Sequence, residues 1–261
     1  MKYIAFHIDA FTDRVFYGNP AVVVYMESEV DSFLMQSMAK EFSLPETAFV
    51  YYSSKGIVLR WFTPEMEMDL CGHATLAAAH VMISELKLMR SCVQFITQSG
   101  TIVVEKRDNL YYMDLPVREA KSSTLPMNIK LSLNILPVEV LKARDYLLIY
   151  NSSKDIESIN IDRSHFDKED LGCGGVIVSA ASQDYDFVSR FFTPKASILE
   201  DPVTGSAHCT LVPYWAKKTG KDKLIAKQIS SRGGELFCEL KSDSVTVAGA
   251  AVTYSKMELY L

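Results

Sequence analysis

The chain alternates between two hydrophobic periods. Tyr3–Phe11 and Ala21–Tyr25 carry the short apolar runs of β-strands, and Gly18-Asn19-Pro20 between them reads as a turn. From Asp31 to Ala39 the apolar positions fall at Leu34, Met35, Met38 and Ala39 behind an acidic N-cap, which predicts an amphipathic surface helix. Val58–Phe62, Gln94–Thr97, Ile102–Lys106 and Tyr111–Leu115 are further short strands. The stretch from His73 to about Leu86 differs from all of these, because it is apolar on nearly every side. A helix of that kind must be enclosed, and short strands wrapped around it are the natural enclosure. Ser206–Lys218 repeats the pattern with Pro213 inside it, so a kink or a fresh helix start is expected there.

The pattern repeats at long range. Arg60-Trp61-Phe62-Thr63-Pro64 returns as Arg190-Phe191-Phe192-Thr193-Pro194, and Cys71-Gly72-His73-Ala74 corresponds to Thr204-Gly205-Ser206-Ala207. Upstream, Ala48–Tyr51 resembles Val176–Ser179, and downstream Ser99–Ile102 resembles Arg232–Glu235. Matches in the same order predict two copies of one α+β unit, 1–118 and 119–261. Polar Val117–Lys130 is the linker, and the tail from about Ala248 is free to return to the first copy.

Composition narrows the class. In 261 residues, 27 Lys+Arg stand against 32 Asp+Glu, a net charge of −5 that disfavours nucleic-acid or anionic-membrane partners. A hydrophobic content of 48% predicts a substantial core, while the richest apolar run, Ala74–Ile83, is too short and too interrupted for a membrane span. Asp9 interrupts what a secretory leader would need to keep apolar, and the five cysteines never form a CxxC pair. A reducing, cytoplasmic location is the expectation.

The candidate chemistry gathers at the two helix starts. Backbone N–H groups and the dipole at a helix N-terminus attract anions, and Gly72 and Gly205 let a ligand approach; the same glycines also suit tight turns into packed helices. His73, in the first turn, is expected to be neutral, either bonding a ligand or satisfied by its own turn. Asp201 precedes the second start as a ligand group or an Asx turn, and Ser206 offers a hydroxyl there or caps the helix. Glu46, among apolar residues in Phe42–Val50, is a candidate proton-transfer acid/base if desolvated, and a loop glutamate if exposed. Cys71 is a candidate base or nucleophile, and equally a small buried hydrophobe. There is no zinc-type ligand spacing, no P-loop and no GxGxxG.

GNPAVVV (18–24), SLPETAFV (43–50), LRWFTPEMEMDLCGHATLAAAHV (59–81), SRFFTPKASILEDPVTGSAHCTL (189–211) and SSRGG (230–234) together resemble the phenazine-biosynthesis-protein-like (PhzF-like) family, whose fold is shared with diaminopimelate epimerase. The resemblance implies an α+β fold of two pseudo-symmetric halves, each a barrel-like sheet around a central helix, with the active site between them. It implies Glu46 as the acid/base, with His73, Asp201 and Ser206 holding the substrate; Asn19, Cys71, Gly72 and Gly205 complete the expected binding set. The related epimerases place a cysteine before each glycine, whereas this chain has Cys71 and Thr204, which argues against two-thiol racemisation. The expected activity is cofactor-independent isomerisation of a small carboxylate-bearing substrate, without metal, with a homodimer as the candidate assembly. The rival expectations are a non-catalytic acid-binding or scaffold protein and a cysteine-dependent racemase.

Overall fold

The first apolar runs become β1 (Lys2–Ala10) and β2 (Asn19–Met26), paired antiparallel. The computed structural model describes residues 2–261. The reversal between these strands ends at Gly18, where φ is +67° and a Cβ would lie 2.2 Å from Ala10 O, so only glycine fits. Asn19 and Pro20, expected in the turn, already belong to β2 opposite Ala10 and Asp9. Next comes α1 (Ser32–Phe42), where the Asp31 side chain accepts the Phe33 N–H and left-handed Ser43 closes the C-terminus on Ala39 O.

Strands β3 (Glu46–Ser53), β4 (Gly56–Phe62) and β5 (Glu67–Met68) lead into α2 (Gly72–His80), which continues as a π-helical turn over Val81–Glu85. Every residue of α2 is buried, as its all-round apolar surface requires. β6 (Cys92–Thr97), β7 (Gly100–Arg107) and β8 (Leu110–Pro116) follow.

The stretch expected to be a featureless linker is structured, holding β9 (Lys121–Ser122) and α3 (Met127–Ser132). Its apolar Ile129 is fully buried in a cluster with Ile156, Phe166 and Val178, and that burial orders a segment whose polarity suggested none. The chain continues through β10 (Glu139–Lys142), β11 (Tyr146–Ile149), α4 (Ser153–Ser158), α5 (Arg163–Phe166), β12 (Val176–Ala181), β13 (Phe187–Phe192) and β14 (Glu200–Asp201). A 3₁₀ turn, Gly205–Ala207, then opens into α6 (His208–Thr219), followed by β15 (Lys223–Gln228), β16 (Gly234–Leu240), β17 (Ser244–Gly249) and β18 (Ala251–Tyr260).

Two units result, Met1–Asp114 with Val247–Leu261, and Leu115–Thr246. In the first, β18 pairs with β1, which pairs with β2; β2 and β3 are parallel, β3 and β4 antiparallel, β4 and β6 parallel, and β6 and β7 antiparallel. The second repeats this order with β11, β12, β13, β15 and β16. Each unit places one helix, α2 or α6, between a short strand and a parallel return to the sheet. The fold is thus α+β, with two similar halves, each a curved sheet around a central helix.

The repeat extends to a partly buried ion pair. Arg60 Nε and Nη2 donate to Glu67 Oε1 and Oε2 at 2.7 and 2.8 Å, and Arg190 makes the same fork with Glu200 at 2.7 and 2.9 Å. Each guanidinium also lies over the ring two residues on, Phe62 or Phe192. Bidentate geometry with partial burial makes these pairs stronger than ordinary surface bridges.

Pro213 does not start a new helix, since α6 runs through it from His208. A proline deprives the carbonyl four residues back of its helical donor. Here that carbonyl, Cys209 O, accepts the Arg118 N–H at 2.9 Å, so the lost bond is replaced from outside the helix.

Candidate active site

In the first unit the candidate residues meet because of strand register. Ala21 pairs with Glu46 in the parallel β2–β3 ladder, so their side chains share a face. Asn19, two positions before Ala21, lies on that face too. Its amide reaches α2, with Nδ2 3.1 Å from His73 Nδ1. The opposite face, with Val22, Val24, Phe49 and Tyr51, packs against Met35 and Met38 of α1. Asn19 and Glu46 therefore stand on the α2 face, each at the N-terminal end of its strand, where α2 also begins.

Glu46 is not in an exposed loop: it opens β3 and is 4% exposed. His73 is buried, and desolvation pushes its pKa down to about 3, so it is neutral across the physiological range. Because the Asn19 amide donates to Nδ1, the ring proton resides on Nε2. Nε2 is buried and has no hydrogen-bond partner among the described residues, a donor awaiting an acceptor. Cys71 Sγ approaches the same Nδ1 at 3.4 Å, and its side chain does not cap α2. Thr75 Oγ1 donates to Cys71 O at 2.6 Å, fixing the carbonyl that precedes the helix.

The second unit has a counterpart built from different residues. Thr204 occupies the place of Cys71, and its hydroxyl donates to Asp201 Oδ2 at 2.5 Å. His208, where the first copy has Thr75, donates from Nδ1 to Thr204 O at 2.9 Å. Its burial lowers its pKa to about 4, so it too is neutral. Gly205 and Ser206 lie in the 3₁₀ turn, not in the first turn of an α-helix. The Ser206 side chain therefore does not act as the helix cap that the sequence suggested.

One residue that sequence reasoning missed is Gln228. Fully buried at the end of β15, it accepts the Thr204 N–H at 2.8 Å and donates to Asp201 O at 2.7 Å. It holds the segment that carries Asp201 and Thr204. The available signal was a lone amide in an otherwise strand-like run just before SSRGG. Beside it, Ser230 Oγ donates to Pro202 O, as Ser99 Oγ donates to Asp69 O in the first unit.

The duplicated α+β unit is the epimerase-like fold, and in its first copy a buried donor at the start of α2 faces a sheet that carries a carboxylate. The phenazine biosynthesis-like protein (PhzC-PhzF) family matches residues 8–257, and the chain belongs to that family. A Pseudomonas aeruginosa protein named as an isomerase is 41% identical over 261 residues, all of both chains. A crystal structure of a PhzF-family protein from Enterococcus faecalis superposes with a TM-score of 0.94 at 41% identity, covering all of both chains. A hydroxyproline epimerase from Agrobacterium vitis has a TM-score of 0.66 at 10% identity over 99% of this chain and 92% of its own, a likeness of fold alone. The chain is an isomerase of this family. No helix among the described residues is long and apolar enough to cross a membrane.

Proposed function

We propose that this isomerase moves a proton between carbons of a small carboxylate-bearing substrate without a cofactor, with Glu46 as acid/base. The observation that carries the reading is the placement of Glu46 and Asn19 on the sheet face that packs on α2, with Asn19 bonded to His73. The Glu46 carboxylate takes a proton from a carbon made acidic by an adjacent carboxylate or double bond, and the protonated carboxyl, exchangeable with solvent while it holds the proton, then delivers a proton to another carbon. Atoms and charge balance within one substrate molecule. The His73 Nε2–H and the N–H groups at Gly72 supply fixed donors for substrate oxygen, and donors already oriented need little reorganisation as charge develops. Asp201, Gly205 and Ser206 are proposed as the second unit's substrate contacts, with Gln228 positioning the segment.

Glu46→Gln preserves size and hydrogen-bonding shape while removing proton transfer. The experiment is solvent deuterium incorporation into substrate: label enters with the parent protein and not with Glu46→Gln, and full turnover by the variant overturns the reading.

The Cys71–His73 contact at 3.4 Å supports a second reading, in which the Cys71 thiolate is the base. Against it, the corresponding second thiol is replaced by Thr204, whose hydroxyl is engaged with Asp201. Cys71→Ser separates the two, since a thiol mechanism loses turnover and the carboxylate mechanism retains it.

A further inference from the structure

At the C-terminal end of α2 lies a second polar feature, unrelated in position to the residues at its start. The π-helical turn ends at Glu85, and Lys87 follows in a left-handed conformation with φ +54°. Beside this turn is an open hollow of about 660 Å³, lined by Ser84, Lys87, Arg90 and Lys106 together with apolar Ile83 and Leu88. Among the described residues no carboxylate pairs with Lys87, Arg90 or Lys106. Neighbouring Arg107, by contrast, is paired with Glu105 at 2.7 Å.

The hollow is backed by a hydrogen-bonded chain. Lys106 Nζ donates to Ser84 Oγ at 2.9 Å, Ser84 Oγ lies 2.6 Å from Tyr111 OH, and Tyr111 OH lies 2.9 Å from His80 Nδ1. His80 Nε2 meets Thr253 Oγ1 at 2.9 Å, and that hydroxyl donates to Glu85 Oε1 at 2.7 Å. Glu85, the carboxylate of this neighbourhood, is thus engaged with Thr253, and it lies 3.6 Å from His80 Nε2. Lys87 and Arg90 are exposed at the hollow, and Lys106 is held in place there by Ser84.

We infer that this hollow binds the phosphate group of a small phosphorylated molecule, at a site separate from the Glu46 residues. A compact dianion suits the three cations that line the hollow, because a tetrahedral phosphate presents several acceptor oxygens to donors arriving from different directions. Occupancy places negative charge next to Lys106 and is felt through Ser84 and Tyr111 at His80, two helical turns from His73 on the same helix.

The test is calorimetric titration of the whole protein with inorganic pyrophosphate, with citrate and sulfate as comparison anions. The expected result is saturable one-to-one binding of pyrophosphate, weakened about tenfold or more by the double variant Arg90→Gln with Lys106→Gln and about threefold by Arg90→Gln alone. In a parallel nitrogen NMR titration, the His80 imidazole shifts on binding and the His208 imidazole does not. The exposed single variant Arg90→Gln decides the outcome if the double variant fails to fold. No saturable binding up to about 10 mM pyrophosphate overturns the inference, as does affinity unchanged in Arg90→Gln. Citrate binding as tightly as pyrophosphate overturns the phosphate assignment. Binding abolished by Ser206→Ala instead would place the anion with the candidate substrate contacts and also overturn it.

Discussion

The Asn19 side-chain amide lies 3.1 Å from His73 Nδ1 and thereby decides which nitrogen of the ring carries its proton. A single amide on β2 converts a buried histidine into a donor directed from Nε2. Asn19→Ala removes this control, leaving either tautomer available and Nδ1 without its donor. We expect kcat/KM on an identified substrate to fall about 10- to 100-fold, with a stability loss of about 1–2 kcal/mol measured by urea unfolding. Asn19→Asp, which cannot donate to Nδ1 when ionised, should fail to rescue the rate.

Acid should weaken the fold through two histidines. His73 and His208 have folded-state pKa values lowered by burial to about 3 and about 4, below the unfolded value near 6.5. Between those limits the unfolded chain binds more protons, so their contribution is complete above about pH 6.5 and is lost as pH falls toward the folded values. Urea midpoints at several pH values between about 7 and 4.5 should decline, and His208→Gln should flatten part of that decline. A slope unaffected by the substitution would show that His208 takes no part in it.

The paired forks Arg60–Glu67 and Arg190–Glu200 look alike but should not cost the same to break. Arg190 Nη1 also donates to Ile156 O and Ile159 O at 3.0 and 2.8 Å, at the end of α4, whereas Arg60 Nη2 donates to the Ser32 hydroxyl. Arg190→Ala leaves main-chain acceptors to be satisfied afresh, so it should destabilise by about 1–2 kcal/mol more than Arg60→Ala in chemical unfolding. Equal losses would show that the carbonyl bonds add nothing.

Gln228→Leu keeps side-chain volume and removes both its acceptor and its donor, leaving Thr204 N–H and Asp201 O without this buried partner. The expected cost is about 2–4 kcal/mol, with a rise in KM exceeding any fall in kcat because Asp201 and Thr204 lose their positioning. The companion substitution Gln228→Glu retains the acceptor toward Thr204 N–H but not the donor toward Asp201 O, and so should keep part of the stability that Gln228→Leu loses.

Much of the architecture was legible in the sequence because it depends on local periodicity and on repetition. The all-round apolar run after Gly72 could only be an enclosed helix, and the returning Arg-aromatic-Phe-Thr-Pro motif marked equivalent strands in two units. The start of α2 at Gly72 was legible too, whereas Gly205 and Ser206 fall in a 3₁₀ turn ahead of α6. What tertiary structure alone decided are relations between residues far apart in sequence. Ala21↔Glu46 register put a carboxylate on the α2 face, Asn19 selected the His73 tautomer, and Gln228 fixed the Asp201 segment from another strand. Pro213 and Ile129 make the same point for the fold: one lies inside α6 because Arg118 satisfies Cys209 O, the other orders a polar segment by being buried. Hydrophobic period constrains which side of an element is covered, but a hydrogen bond between distant groups exists only once the chain has folded and excluded the water that would otherwise satisfy them.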